Sequence, residues 1–215
     1  MANSMRTFSE NADLVLERRE HVRKCATSLF VKKPFEKASL EEILQATDMS
    51  KGGLYYYVGS KEDIRYLITN HASKAYIEIH HSLIKTIEKL SAVDAIREVI
   101  RGLCQWMNDY QDEVIVLIHE MGNLSKEERQ PLLNSDVANI DLFKDIIREG
   151  IRTGEFKQVD IEVVAHTILL GIRAWAERRW YLKKLYTMEQ YVDSLSAFAI
   201  SALKNNNGIK SQIRK

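Results

Sequence analysis

Proline and glycine are scarce, 2 and 9 among 215 residues, too few to punctuate a sheet-rich fold with turns roughly every 8–12 residues. A sandwich or barrel is excluded on that ground. Cysteine is almost absent. Cys25 and Cys104 lie far apart with no C-x-x-C spacing, weak evidence for a disulfide, and the cytoplasm is the expected compartment. Long apolar runs are missing too: the longest charge-free stretches, 163–172 and 194–203, are ten residues each, against the ~20 of a spanning helix. No membrane crossing is expected. The first twenty residues lack a basic–apolar–small cleavage pattern, so no secretory leader is expected either. Net charge is only +1, and residues 1–65 hold 11 Lys and Arg against 10 Asp and Glu. A dedicated nucleic-acid domain is often far more basic. Any claim of DNA binding must therefore rest on motif geometry.

Helical periodicity and N-cap signals are what the chain does have. Val22, Ala26, Leu29 and Phe30 form one apolar stripe, which predicts a helix over 11–32, ended by Pro34. Ser39 with Glu42 makes a capping box for a short helix carrying Leu40, Ile43 and Leu44, interrupted at Thr47–Asp48. Ser50 caps 51–58, and Ser60 with Asp63 opens a longer helix through Ile64, Leu67 and Ile68. Further helices are predicted from Ser91 with Asp94, over 114–121, from Ser125 with Glu128 towards Gly154 past Pro131, over 161–185 behind Asp160, and from Thr187 with Gln190 through Leu203. The fold class is all-α. Residues 1–10 are expected to be a disordered lead-in, and the basic tail 205–215 to fray.

The informative stretch is 39–61, SLEEILQATDMSKGGLYYYVGSK. It reads as helix, turn, helix, with Ile43, Ala46, Met49 and Leu54 spaced to pack the two together. Ser50, Lys51, Gly52, Gly53, Tyr55 and Tyr56 are left on or near an outward face. Two adjacent glycines in a helix cost roughly 1 kcal/mol each relative to Ala, and three consecutive tyrosines are odd on a solvated surface. A surface that gives up local stability in this way is suited to close approach by a partner. DNA fits: glycines let a backbone near a groove, tyrosine hydroxyls reach phosphates, and Lys51 and Lys61 neutralise charge. Half-buried packing tyrosines are the plainer alternative.

The span 18–68 resembles the DNA-binding domain of TetR-family transcriptional regulators, on Ala26, Phe30, Ser39, Ile43, the run 49–57 and 60–62. The resemblance implies a three-helix helix-turn-helix domain over 11–60 and a helical effector-binding and dimerisation domain over 61–204. Ser39 and Ser50 would cap helices and touch phosphates, and Lys51, Gly52 and Gly53 would lie against base edges. Tyr55, Tyr56 and Tyr57 would make backbone and groove contacts, and Lys61 would bind phosphate. Pro34, Asp48 and Val58 depart from the family's usual Gly, Gly and Phe, and Gly53 lacks a base-contacting side chain.

The same resemblance implies a homodimer through the last two long helices, on double-stranded operator DNA, with a small-molecule effector pocket in the middle helices. Candidate lining residues are Trp106, Met107, Tyr110, His119, Met121, His166 and Trp175, aromatic and Met side chains suiting an adaptable apolar cavity. Segment 171–181, GIRAWAERRWY, loosely resembles, one residue out of step, a segment of acyl-CoA-sensing members, which implies Arg173, Arg178 and Arg179 facing coenzyme phosphates. Pairing with Glu177 and surface carboxylates is the alternative. The expected function is a ligand-released repressor with no cofactor, no metal and no enzymatic role. Two other classes stay open: a helical scaffold without DNA binding, and a metalloenzyme built on His80, His81, His119, His166 and Glu120, for which no H-E-x-x-H or comparable spacing is present.

Overall fold

A computed structural model describes residues 12–204; the expectations for 1–10 and 205–215 lie outside them. The described residues are helical without a strand. In chain order they form α1 (Ala12–Lys32), a 3-10 turn (Phe35–Lys37), α2 (Leu40–Thr47), α3 (Lys51–Val58), α4 (Lys61–Ile87), α5 (Ala92–Asp109), α6 (Gln111–Glu120), α7 (Lys126–Thr153), α8 (Ile161–Glu177), α9 (Arg179–Leu182) and α10 (Met188–Leu203). No helix among them is long and apolar enough to cross a membrane.

The chain divides into two compact units. One takes in the described residues through Ala75 together with Tyr110–Leu124; the other takes in Tyr76–Asp109 and the described residues from Ser125 onward. Helix α4 contributes residues to both.

In the first unit α1, α2, α3, early α4 and α6 close over Val22, Phe30, Ile43, Leu54, Ile64, Ile68 and Val116. Caps set where its short helices begin. Ser39 Oγ accepts from Glu42 N at 3.2 Å while Glu42 Oε2 accepts from Ser39 N at 2.8 Å, the reciprocal box read from the sequence. Asp48 ends α2 in the left-handed region at φ 53°, a conformation Asp tolerates better than most side chains. One packing expectation is corrected: Ala46 is exposed and Thr47 is buried in its place. A helix face repeats at i and i+4, so Ile43 shares its side with Thr47, whose hydroxyl donates to the Ile43 carbonyl at 2.8 Å.

In the second unit α5 packs among α7, α8 and α10 around Ile96, Ile100, Leu103, Phe143, Ile147 and Trp175. Glu155 caps α5 from outside, its carboxylate accepting from Ala92 N and Val93 N at 3.1 and 3.3 Å. Gly171 lets α8 and α10 touch, since a Cβ there would stand 2.6 Å from Leu195 Cδ1; beside it Tyr191 donates its hydroxyl to the Gly171 carbonyl at 2.6 Å. The single helix expected over 161–185 is corrected. α8 stops at Glu177, Arg178 departs to φ −105° and ψ 19°, and a four-residue α9 follows. No Gly or Pro stands at this break to announce it.

Candidate nucleic-acid interface

Helix α3 is built to present its first turn. Ser50, extended at φ −70° and ψ 157°, accepts from Gly53 N at 3.1 Å, and Lys51 and Gly52 beside it are exposed. The two glycines differ in kind. A Cβ on Gly53 would lie 3.2 Å from Ser50 Oγ, so its lack of a side chain leaves room for the cap; a Cβ on Gly52 would meet nothing within 4 Å. Nothing among the described residues asks for glycine at position 52. Leu54 and Val58 anchor the opposite face in the core.

Tyr55, Tyr56 and Tyr57 are half-buried. Tyr56 and Tyr57 meet edge to face at 5.0 Å. Tyr57 also packs on the core, and its carbonyl accepts from Arg19 Nε at 2.8 Å, so part of its role is to fix α3 to α1. Ser39 is exposed at the start of α2. Lys61, expected to contact phosphate, is half-buried, and its ammonium donates to the Phe35 carbonyl at 2.6 Å.

The residues expected to line an effector pocket are divided between the two units. Tyr110, His119 and Met121 fall in the first unit, where Tyr110 lies against the His71 ring at 5.3 Å and His119 is exposed. Trp106, Met107, His166, Trp175 and Arg178 fall in the second. His166 and Arg178 are exposed there, and His166 Nδ1 lies 2.9 Å from the Glu162 carbonyl. Trp175 is buried, donating to Asn108 Oδ1 at 3.3 Å and stacking at 5.2 Å on Tyr191. Arg173 is paired with Asp136 at 3.4 Å. Among the described residues no group of three or more His, Cys, Asp or Glu is placed to hold a metal ion.

The second unit instead holds a cavity of about 220 Å³ between α4 and α7, lined by Tyr76, Ile77, His80, His81, Asn134, Ser135 and Ala138. Tyr76 closes one side, donating to the Ser135 carbonyl at 3.0 Å and meeting Trp106 edge-on at 5.5 Å. Burial lowers the His80 pKa below its usual 6.5, partly opposed by a hydrogen bond to the Ala138 backbone, with His81 adding a smaller push downward. Its Nε2 is buried with no hydrogen-bond partner among the described residues. The only sequence signal for this site was Tyr76 and His80 at i and i+4 on one helix face, a pattern that ordinary core residues share.

Comparison with known proteins agrees with this layout. Residues 23–65 match the model of bacterial regulatory proteins of the tetR family, and residues 89–201 match the tetracyclin repressor-like C-terminal domain. The HTH-type transcriptional regulator HbdR of Aromatoleum sp. (strain CIB) is 21% identical over 193 residues, covering 89% of this chain and 83% of that protein. AibR, solved with isovaleryl coenzyme A and operator DNA, superposes with a TM-score of 0.71 at 23% identity, over 84% of this chain and 97% of that one. FadR from Bacillus subtilis, solved with stearoyl-CoA, gives a TM-score of 0.62 at 18% identity, over 85% and 98%. With a capped helix-turn-helix at one end and a matching helical body spanning more than half the chain, this protein belongs to the TetR family of bacterial regulatory proteins.

Proposed function

We propose that the protein is a ligand-controlled, dimeric transcriptional repressor that holds a pseudo-palindromic operator and leaves it when an acyl thioester binds. The observation that carries the DNA half is the first turn of α3, where exposed Lys51 and a glycine with open space around it follow a serine cap. A helix N-terminus with free N–H groups and a cation suits phosphate, and a side chain missing at position 52 suits a groove wall. A role on chromosomal DNA implies a cytoplasmic location.

Dimerisation is supported by an apolar face with no cover in the monomer. Val163 and Leu170 on α8 and Phe198 on α10 are 59%, 62% and 56% exposed, and the two helices pack together at Gly171 and Leu195. Two copies joined there would offer recognition helices for half-sites about 34–36 Å apart.

The cavity between α4 and α7 is the candidate effector subsite. It is smaller than the roughly 300 Å³ at the low end of sites for drug-sized ligands, a size suited to a short acyl group with the coenzyme outside. AibR and FadR, with their acyl-CoA complexes, support that class. A ligand releases DNA only through its different affinity for the two states, and α4, with residues in both units, is the element a ligand at His80 would displace. Selection from random genomic fragments tests the reading: an enriched inverted repeat, released by isovaleryl-CoA, is expected. No enrichment would favour the scaffold, and calorimetry showing no acyl-CoA binding would remove the effector class.

A further inference from the structure

Phe35 lies in the turn that carries the chain from α1 into α2, and charged side chains from two other helices hold both of its backbone polar groups. Its N–H donates to Glu120 Oε1 at 3.1 Å, and its carbonyl accepts from Lys61 Nζ at 2.6 Å. Phe35 is 3% exposed and Glu120 1%. The ring is fixed as well. It meets Phe30 edge-on at 5.4 Å, with the Lys61 ammonium 4.3 Å and the Arg65 guanidinium 4.9 Å from its centroid.

Both clamping charges stand where the helix dipole disfavours them. Lys61 is the first residue of α4 and Glu120 the last of α6, a cation at a positive end and an acid at a negative one. Neither serves its own helix electrostatically; both serve the turn. The second Glu120 oxygen accepts from Asn123 Nδ2 at 3.3 Å, so each oxygen of the buried carboxyl has a partner. Two turns earlier on α6, Glu113 takes the Arg23 guanidinium of α1. From one side, α6 thus grips both α1 and the turn that leaves it.

We propose that Glu120 and Lys61 are positioning residues for DNA binding: by fixing Phe35 they set the angle at which α2 and α3 leave α1, and Lys61 acts through Phe35 instead of through a DNA phosphate. The proposal rests on the DNA-binding reading of α3. Releasing the turn divides the protein among orientations, and apparent affinity falls with the competent fraction. Salt dependence does not change, because counterion release counts only the phosphates neutralised.

The test measures operator affinity of the full chain by fluorescence anisotropy across a salt series, with hydrogen exchange at the Phe35 amide in parallel. Lys61→Met should lower affinity by roughly tenfold, the worth of one charged hydrogen bond, with an unchanged salt slope and faster Phe35 exchange. Glu120→Gln keeps an acceptor for Phe35 N–H and should bind near the wild-type level, whereas Glu120→Leu should not. A slope shallower by about one would make Lys61 a phosphate ligand and overturn the proposal. So would unchanged affinity in folded Lys61→Met, or equal losses in the two Glu120 variants. If the wild-type protein enriches no operator, the regulator reading fails separately. Exchange at Gly52 and Gly53 then decides the clamp: faster in Lys61→Met supports it, unchanged overturns it.

Discussion

Arg23 on α1 and Glu113 on α6 form a buried ion pair across 90 positions of sequence. Glu20 joins them, its two oxygens accepting from Arg23 Nε and an Arg23 amino group at 2.8 and 2.6 Å, and His71 Nδ1 stands 3.5 Å from Glu113. Breaking a buried pair strands a charge, at about 3–5 kcal/mol. Because Glu20 would still serve Arg23, Glu113→Ala should lose the lower end of that, about 3 kcal/mol. Urea unfolding checks it; a loss near zero would mean Arg23 relaxes to solvent.

Glu20 also gives the first unit a pH signature. Its hydrogen bonds from Arg23 are the main reason its pKa falls from 4.5 to about 2. A lowered carboxyl stabilises the fold above the unfolded value, and that contribution is lost as pH falls from 4.5 towards about 2. Glu20→Gln should therefore flatten the fall of Tm in this window while lowering Tm at neutral pH. An unchanged acid profile would show that Glu20 is not a partner in solution.

Gly52 separates stability from function. Its Cβ would meet no atom of the described residues within 4 Å, and Gly to Ala is worth up to about 1 kcal/mol in a helix interior and less in the first turn, where Gly52 lies. Gly52→Ala should raise Tm and weaken operator binding together, because the added methyl faces the groove. Lys51→Ala, at the exposed first position of α3, should weaken binding to all sequences and flatten the salt slope by about one. If Gly52→Ala gains stability with full affinity, α3 does not enter a groove by that turn.

Much of this architecture was legible because helix starts carry local chemistry. Ser39, Ser50, Ser60, Ser125, Asp160 and Thr187 each accept from the backbone N–H three positions on, and a hydroxyl or carboxylate before an apolar run reveals that directly. The break at Arg178 left no such mark, since apolar periodicity continues through 180–185 without Gly or Pro. The place of α6 beside α1 depends on Arg23 and Glu113, partners that no local pattern joins. Pocket residues were chosen by type, and type does not say which face a side chain occupies; His119 and His166 lie on exposed faces. The contact of Lys61 with the Phe35 carbonyl was illegible for a related reason, as composition cannot show a backbone partner.

The uncovered face on α8 and α10 predicts the assembly. Leu170→Asp places a charge amid Val163 and Phe198, surface that is exposed in the monomer and desolvated in a dimer, so it should yield a folded monomer with little loss of helix content. Light scattering after size exclusion reads the mass. Operator affinity should fall with dimerisation, as one helix-turn-helix reads too few base pairs alone. A Leu170→Asp dimer would move the interface elsewhere.

His80 offers the sharpest handle on ligand response. Its pKa is lowered by burial, so the ring is neutral at pH 7 and presents an uncharged wall to an acyl group. For a base whose folded pKa lies below the unfolded 6.5, stability is present above that value and lost as pH falls towards the folded one. Packing of an apolar acyl group against this ring should weaken over the same descent, when the ring must protonate. His80→Phe narrows the cavity without adding charge, and should weaken release by effector at every pH while leaving operator affinity intact. Anisotropy titrations with effector at pH 7 and pH 5.5, roughly one unit below the unperturbed His value, distinguish the outcomes. Normal release from His80→Phe would place the effector away from the space between α4 and α7.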